Sequence, residues 1–246
     1  MAKNLIYRQI VPVFLFAFGI VSAIPVSGQD LDFTDVAQSQ IRQAITPTLA
    51  MIATQQESPL TLFKTAERPL MKVAVKIPSL VMPSGESAGA GFSSVWLAIG
   101  VSPNLVLGGH VAAAGWRHDD IQSTGVHFAT SWGKPEQRNL FDVAVNHLYG
   151  PDDFHTRDVN LAIFRNYRAG QFDFVVAGSL HFVHCRIEIN DHADASLNYQ
   201  TTKNVSLYEL RAGMVRNFGQ AHAVGLDLSI LRKAVSAGLS YQFTLN

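Results

Sequence analysis

The stretch Ser236-Ala237-Gly238-Leu239-Ser240-Tyr241-Gln242-Phe243 decides the reading of this chain. Together with Val235 it places Val235, Ala237, Leu239, Tyr241 and Phe243 on one face of an extended segment. Ser236, Gly238, Ser240 and Gln242 fall on the other. Alternation at period two marks a β-strand with one apolar and one polar face.

Working back through the 246 residues, the same period recurs between turn clusters rich in Gly, Pro, Asn and Asp. It predicts strands near 70–78, 92–101, 105–115, 124–133, 140–149, 158–167, 172–183, 205–217, 221–231 and 234–243. In one of them Phe172, Phe174, Val176, Gly178, Leu180 and Phe182 oppose Asp173, Val175, Ala177, Ser179 and His181. In two others Phe141, Val143, Val145, His147 and Tyr149 oppose Asp142, Ala144, Asn146 and Leu148, and Val159, Leu161 and Ile163 oppose Asp158, Asn160 and Ala162. Sustained helical periodicity is absent after about residue 56. Period alone leaves the direction of the apolar face open. It is the core of a soluble barrel or the lipid-facing side of a membrane barrel.

The closing strand resembles the C-terminal β-signal of bacterial outer-membrane barrels: polar, any, Gly, any, any, hydrophobic, any, hydrophobic. Ser236, Gly238, Tyr241 and Phe243 occupy its fixed positions, and Thr244 to Asn246 follow the aromatic that usually ends it. The resemblance covers roughly 70–243 and names no single family. It implies an all-β fold, a closed antiparallel transmembrane β-barrel of about ten strands (8–12) formed by residues 70–246. It also implies recognition by the barrel-assembly machinery through Gly238, Tyr241 and Phe243, with outer-membrane lipid and lipopolysaccharide as neighbours.

The amino terminus points the same way. Lys3 and Arg8 precede the apolar run Val11–Val21, and small residues follow at Ala23 and Ser27-Gly28. This is the pattern of a secretory signal peptide over 1–28, read by the Sec route, and no cysteine follows for a lipid anchor. No later run is long and apolar enough for a transmembrane helix. The expected location is therefore the outer membrane of a Gram-negative bacterium. Removing Lys3 and Arg8 from a chain with equal acids and bases leaves it slightly acidic, which argues against a nucleic-acid partner. Cys185 is the single cysteine, so no intramolecular disulfide can form, and it reads as a small strand side chain rather than a reactive thiol.

Connection lengths and aromatic positions test the inverted reading. Counting back from Phe243 as a strand descending to the periplasm puts short turns at Phe218-Gly219-Gln220, Arg168-Ala169-Gly170, Lys134 to Asn139 and Ser102-Pro103-Asn104. Longer outer loops fall near 79–91, 116–123, 150–157 and 184–204, with one tight turn at Arg232-Lys233. That alternation is the one transmembrane barrels show. On the apolar phase Trp132, Phe141, Tyr167, Phe172, Phe218, Tyr241 and Phe243 fall at the periplasmic ends, and Tyr149, Phe182 and Tyr208 toward the outer ends. Girdles of this kind form because aromatic rings favour the membrane interface.

The opposite phase then lines a lumen carrying Asp142, Asp158, Asp173, Glu209, Arg211 and Asp227, with Asn146, Asn160, His110, His127 and His181. Buried charges need partners, so Arg211 is expected among carboxylates. Small inward residues (Ala129, Ala162, Ala177, Gly213, Ala223, Gly225) leave room for a narrow wet path or a small-ligand cavity. Residues 29–69 read as a periplasmic lead-in. Val36, Ala37, Ile41, Ala44 and Ile45 have helical spacing before Pro47, which suits a short helix or a plug; a disordered lead-in suits the segment equally, and 60–65 is an alternative further strand.

Three functional classes follow. The first is a structural or small-solute role in the outer membrane. The second is a rim hydrolase using the loop residues Asp119, Asp120, Asp191 and His192, in an acid–histidine arrangement that resembles the omptin proteases only weakly. The third is a soluble exported barrel with an apolar ligand. No Gly-x-Ser-x-Gly or His-Glu-x-x-His motif is present, and the enzyme reading rests on those loop residues alone. Capture of a metal would need His118, His155 and His192 to converge from three loops, so neither a metal nor a cofactor is expected.

Overall fold

The computed structural model describes residues 50, 53, 54, 59, 71–81, 93–116, 119–134, 136–150, 154–189, 198–231 and 234–245. Ten antiparallel strands run in sequence order: β1 (Met71–Val81), β2 (Ser94–Ser102), β3 (Leu105–Trp116), β4 (Asp119–Lys134), β5 (Gln137–Tyr149), β6 (Phe154–Ala169), β7 (Phe172–Ile189), β8 (Tyr199–Phe218), β9 (His222–Leu231) and β10 (Ala234–Leu245). Each pairs with its sequence neighbours, and β1 pairs with β10 to close the barrel. Closure satisfies the backbone of every strand, the condition a sheet must meet to cross lipid. The expected signal peptide, most of the lead-in and the alternative strand at 60–65 lie outside the described residues. So do 82–92 in the first outer loop and the Arg232-Lys233 turn.

The apolar face points outward. On β7 Phe174, Val176, Leu180 and Phe182 are exposed, while Asp173, Val175, Ala177, Ser179, His181 and Val183 are buried. The same inversion holds around the barrel: Ile163, Leu210, Leu228 and Val126 are each more than half exposed. A water-soluble barrel with this arrangement would present a continuous apolar belt far larger than soluble monomers tolerate. From Phe172 to Phe182 the outward apolar ladder of β7 runs about 33 Å along the strand at ~3.3 Å per residue. A tilt of ~40° reduces this to about 25 Å of height, which matches the hydrocarbon band of transmembrane barrels.

The edges of the belt are charged. At one end Lys134, Arg165 and Arg216 face outward, and Arg216 lies over the rings of Phe172 (5.6 Å) and Phe218 (4.9 Å). Arg165 lies over Tyr167 at 5.2 Å. At the other end stand Arg157, Arg186 and Glu188. The turns at the first end are short, and their Gly133, Gly170 and Gly219 take positive φ values that only glycine adopts freely.

At the far end the strands run longer than the hydrophobic period predicts. β4, β6, β7 and β8 reach 16, 16, 18 and 20 residues. Expected loop residues therefore lie in strands: Asp119 and Asp120 open β4, paired with Trp116 and Gly115, and His155 pairs with Tyr149 and Arg186. The segment 184–204 is likewise mostly strand, with only 190–198 between β7 and β8. The reason is physical. Beyond the belt the outward residues turn polar while Ile121, Leu148, Phe154, Cys185 and Ile187 still pack inward, so the hydrophobic phase reverses while the backbone ladder continues.

Candidate functional site

The barrel interior holds the densest chemistry. β1 places Lys72 and Lys76 inward, alternating with Val73, Val75 and Ile77. Asp142, Asp158, Asp173, Glu209, Arg211 and Asp227 are all buried there, as are His110, His127, His181, Asn146 and Asn160. In a low-dielectric wall such groups persist only as a connected network.

Four clusters hold these groups. In the first, Asp158 Oδ2 accepts from Asn146 Nδ2 at 3.3 Å and lies 3.0 Å from His181 Nδ1. His181 Nε2 in turn lies 3.4 Å from Glu209 Oε2, so one fully buried imidazole bridges two carboxylates. The imidazole of β7 thus ties a carboxylate of β6 to one of β8.

Next to it, His127 Nδ1 meets Asp142 Oδ1 at 3.3 Å. Trp96 stacks on His110 with ring centroids 4.3 Å apart and meets His127 edge-on at 5.6 Å. Trp96 Nε1 donates to Ser94 Oγ at 2.8 Å, and His110 Nε2 sits 3.2 Å from Ser123 Oγ. These rings fill the barrel only because Gly108 and Gly125 oppose them. A Cβ on Gly108 would fall 2.0 Å from His127 Nε2, and one on Gly125 2.4 Å from His110 Cε1.

Two further ion pairs join β8 to β9 and β6 to β7. Arg211 Nε donates to Asp227 Oδ2 at 3.0 Å with both side chains buried. At the short-turn end Arg168 holds Asp173 through two bonds of 2.8 and 3.3 Å, and Asn217 Nδ2 donates to the same carboxylate at 2.8 Å. Among the described residues Asp158 Oδ1, Asn146 Oδ1 and Ser179 Oγ find no protein donor or acceptor.

Of the residues expected in a rim hydrolase, Asp119 and Asp120 stand at the start of β4, and Asp191 and His192 lie outside the described residues. His118 lies outside them too, so of the three histidines weighed for a metal only His155 is placed, in β6. Gly238 points inward on β10, and Tyr241 and Phe243 face outward. Cys185 is buried, accepts from Thr156 Oγ1 at 3.7 Å, and burial pushes its thiol up to about 11, so it is a packing residue. Sequence reasoning missed Lys72, Lys76 and Trp96. The period-two pattern carried all three placements: Lys72 and Lys76 alternate with Val73, Val75 and Ile77, and Trp96 shares the phase of Ser94 and Ala98 opposite Val95, Leu97 and Ile99.

No family model and no curated protein matches the chain. Among solved structures it is similar to the translocator domain of the autotransporter NalP from Neisseria meningitidis, at 8% identity over 85% of this chain and 99% of that one, TM-score 0.49. It is also similar to the outer membrane protease OmpT from Escherichia coli, at 8% identity over 78% and 100%, TM-score 0.46. A third is a loop-deletion mutant of OmpT, an outer membrane protein of Vibrio cholerae, at 6% identity over 63% of this chain and TM-score 0.34. The chain spans about half the length of that last protein, 53%. None of these carries a role over to this chain.

Proposed function

We propose that this protein is an outer-membrane barrel with a structural or small-solute role, its interior a rigid, hydrated network rather than a wide channel. One observation carries the reading. The face that meets the surroundings is apolar on every strand, while the enclosed face holds the charges, and His181 and Asp158 there are 0% exposed. Lipid outside and paired charge inside is the energetically consistent assignment for such a barrel. Side chains that fill the lumen limit passage to water, protons or the smallest solutes. Delivery by a signal peptide over 1–28, recognition of Gly238, Tyr241 and Phe243 by the barrel-assembly machinery, and lipopolysaccharide neighbours belong to the same proposal.

Membrane fractionation combined with a heat-modifiable gel shift tests it. Recovery in outer membranes, with a folded band that shifts on boiling, is expected; recovery in the soluble periplasm overturns it. Planar-bilayer recordings are expected to show no large, stable conductance, and porin-sized steps would overturn the filled-lumen part alone.

A further inference from the structure

Just beyond the apolar belt, at the long-strand end, four neighbouring strands turn polar residues outward in register. One row runs His147 (β5), Arg157 (β6), His184 (β7), Asn204 (β8); the next runs Tyr149, His155, Arg186, Thr202. Glu188 and Gln200 follow above them. The rings of His147, Tyr149 and His155 form a stack, with centroids 5.8 Å apart from His147 to each of the others and 4.9 Å from Tyr149 to His155. Directly below, Val145, Val159 and Phe182 belong to the belt, with Ser206 beside Phe182.

The charge of this patch is unbalanced. On the outward face of β5 to β8 Glu188 is the one described carboxylate, and it is held by Arg186 at 2.6 Å. Arg186 also faces the side-chain oxygen of Gln200 at 3.1 Å once that amide is oriented to satisfy both groups. Arg157 makes no hydrogen bond or ion pair among the described residues and is exposed, with three histidines around it. The arginines at the opposite edge differ, because Arg165 and Arg216 lie over aromatic rings and Arg168 is bonded to Asp173.

We propose that this patch binds the phosphate group of an outer-leaflet glycolipid, with Arg157 as the principal cation, Arg186 beside it and the His147–Tyr149–His155 stack as a wall. The inference rests on the outer-membrane reading above. A lipid whose chains lie along Val159 and Phe182 carries its phosphate at the height of Arg157. A guanidinium matches phosphate oxygens with paired N–H donors, and the interface lowers the screening such a contact meets in open water. The surroundings of His147 and His155 agree: partial burial, and then the Arg157 charge, hold both imidazoles below their ordinary value. An anion seated on Arg157 would reverse that second influence.

The test refolds the full chain into phosphatidylcholine vesicles containing bisphosphorylated lipid A, then measures lipid A retained by the protein through detergent extraction. Retention is expected for the unaltered chain and about tenfold less for Arg157→Gln/Arg186→Gln, as loss of charge-assisted contacts implies. Arg165→Gln is expected to retain as much as the unaltered chain. Equal retention by the Arg157/Arg186 double variant, or equal retention of dephosphorylated lipid A, overturns the proposal. A second readout needs no variant: the imidazole titrations of His147 and His155 are expected to move upward when lipid A is present. No movement overturns the proposal, and an equal movement with inorganic phosphate alone overturns the choice of a lipid as its source. A gel-shift control separates the two levels of inference. A chain that inserts but retains no lipid A sinks this site alone, and a chain that fails to insert sinks the membrane reading with it.

Discussion

The Asp227 carboxylate of β9 lies directly over the Cα of Gly238 on β10: a Cβ at residue 238 would stand 2.8 Å from Oδ1 and 2.9 Å from Oδ2. Asp227 cannot simply retreat, because Arg211 holds it from the other side at 3.0 Å. The glycine of the closing strand is thus required by packing inside the barrel, independently of any recognition by assembly machinery. Gly238→Ala is expected to lose about 1–3 kcal/mol of stability, the usual range for overpacking. Urea unfolding of protein refolded in vesicles, with no assembly factor present, measures this. An unchanged midpoint would leave assembly as the only role for Gly238.

The Arg211–Asp227 pair invites a paired test. Arg211→Met leaves a carboxylate without its guanidinium partner in a wall of low dielectric, with an expected loss of about 3–5 kcal/mol. Adding Asp227→Leu removes that carboxylate and is expected to recover most of the loss. Equal instability of the single and double variants, read from the same unfolding curves, would show that the pair matters for shape rather than charge.

Ile163 faces outward on β6, 59% exposed, in the middle of the belt. Lysine there, or at neighbouring Leu161, is expected to reduce insertion stability by about 2–4 kcal/mol. Lysine at Asn204, above the belt, is expected to change stability by less than about 1 kcal/mol. The contrast is read as the fraction of gel-shifted protein after refolding, and similar effects at both heights would dissolve the belt.

Acid should weaken the rim locally. Burial and then Arg157 lower His147 and His155 below the ordinary 6.5, so the folded form binds fewer protons than the unfolded chain in the window just under that value. Stability from these groups is complete above 6.5 and is lost as pH falls through their folded values. Both groups are largely solvated, so the effect is small. Imidazole NMR titration of lipid-free protein should give two midpoints below 6.5, and His147→Gln/His155→Gln should flatten the corresponding slope in stability.

Strand number was legible because lipid imposes a strict alternation, as over Phe172 to Phe182 and Val235 to Phe243, whereas facing and closure came from the connection lengths, the aromatic positions and the closing strand. The strand ends were not, since beyond the belt the outward residues turn polar (His155, Arg186) while the inward ones turn apolar (Cys185, Ile187), and this reversal of phase breaks the pattern that locates a strand. Within the interior, the residues were readable from phase but their partners were not. Which histidine meets which carboxylate depends on register between strands, as in His181 bridging Asp158 on β6 to Glu209 on β8, and register is a property of pairs of segments rather than of one.

The seam between β1 and β10 joins Met71–Val81 to Val235–Leu245 along eleven register pairs. These are the most distant strands in sequence, and until they meet every partial sheet exposes two open edges. In lipid those edges would carry unsatisfied N–H and C=O groups at several kcal/mol each, so partially built barrels are excluded as resting states. The kinetic consequence is that closure is late, non-local and slow to nucleate. Insertion should then proceed as a single cooperative event, with the whole wall waiting on its last strand.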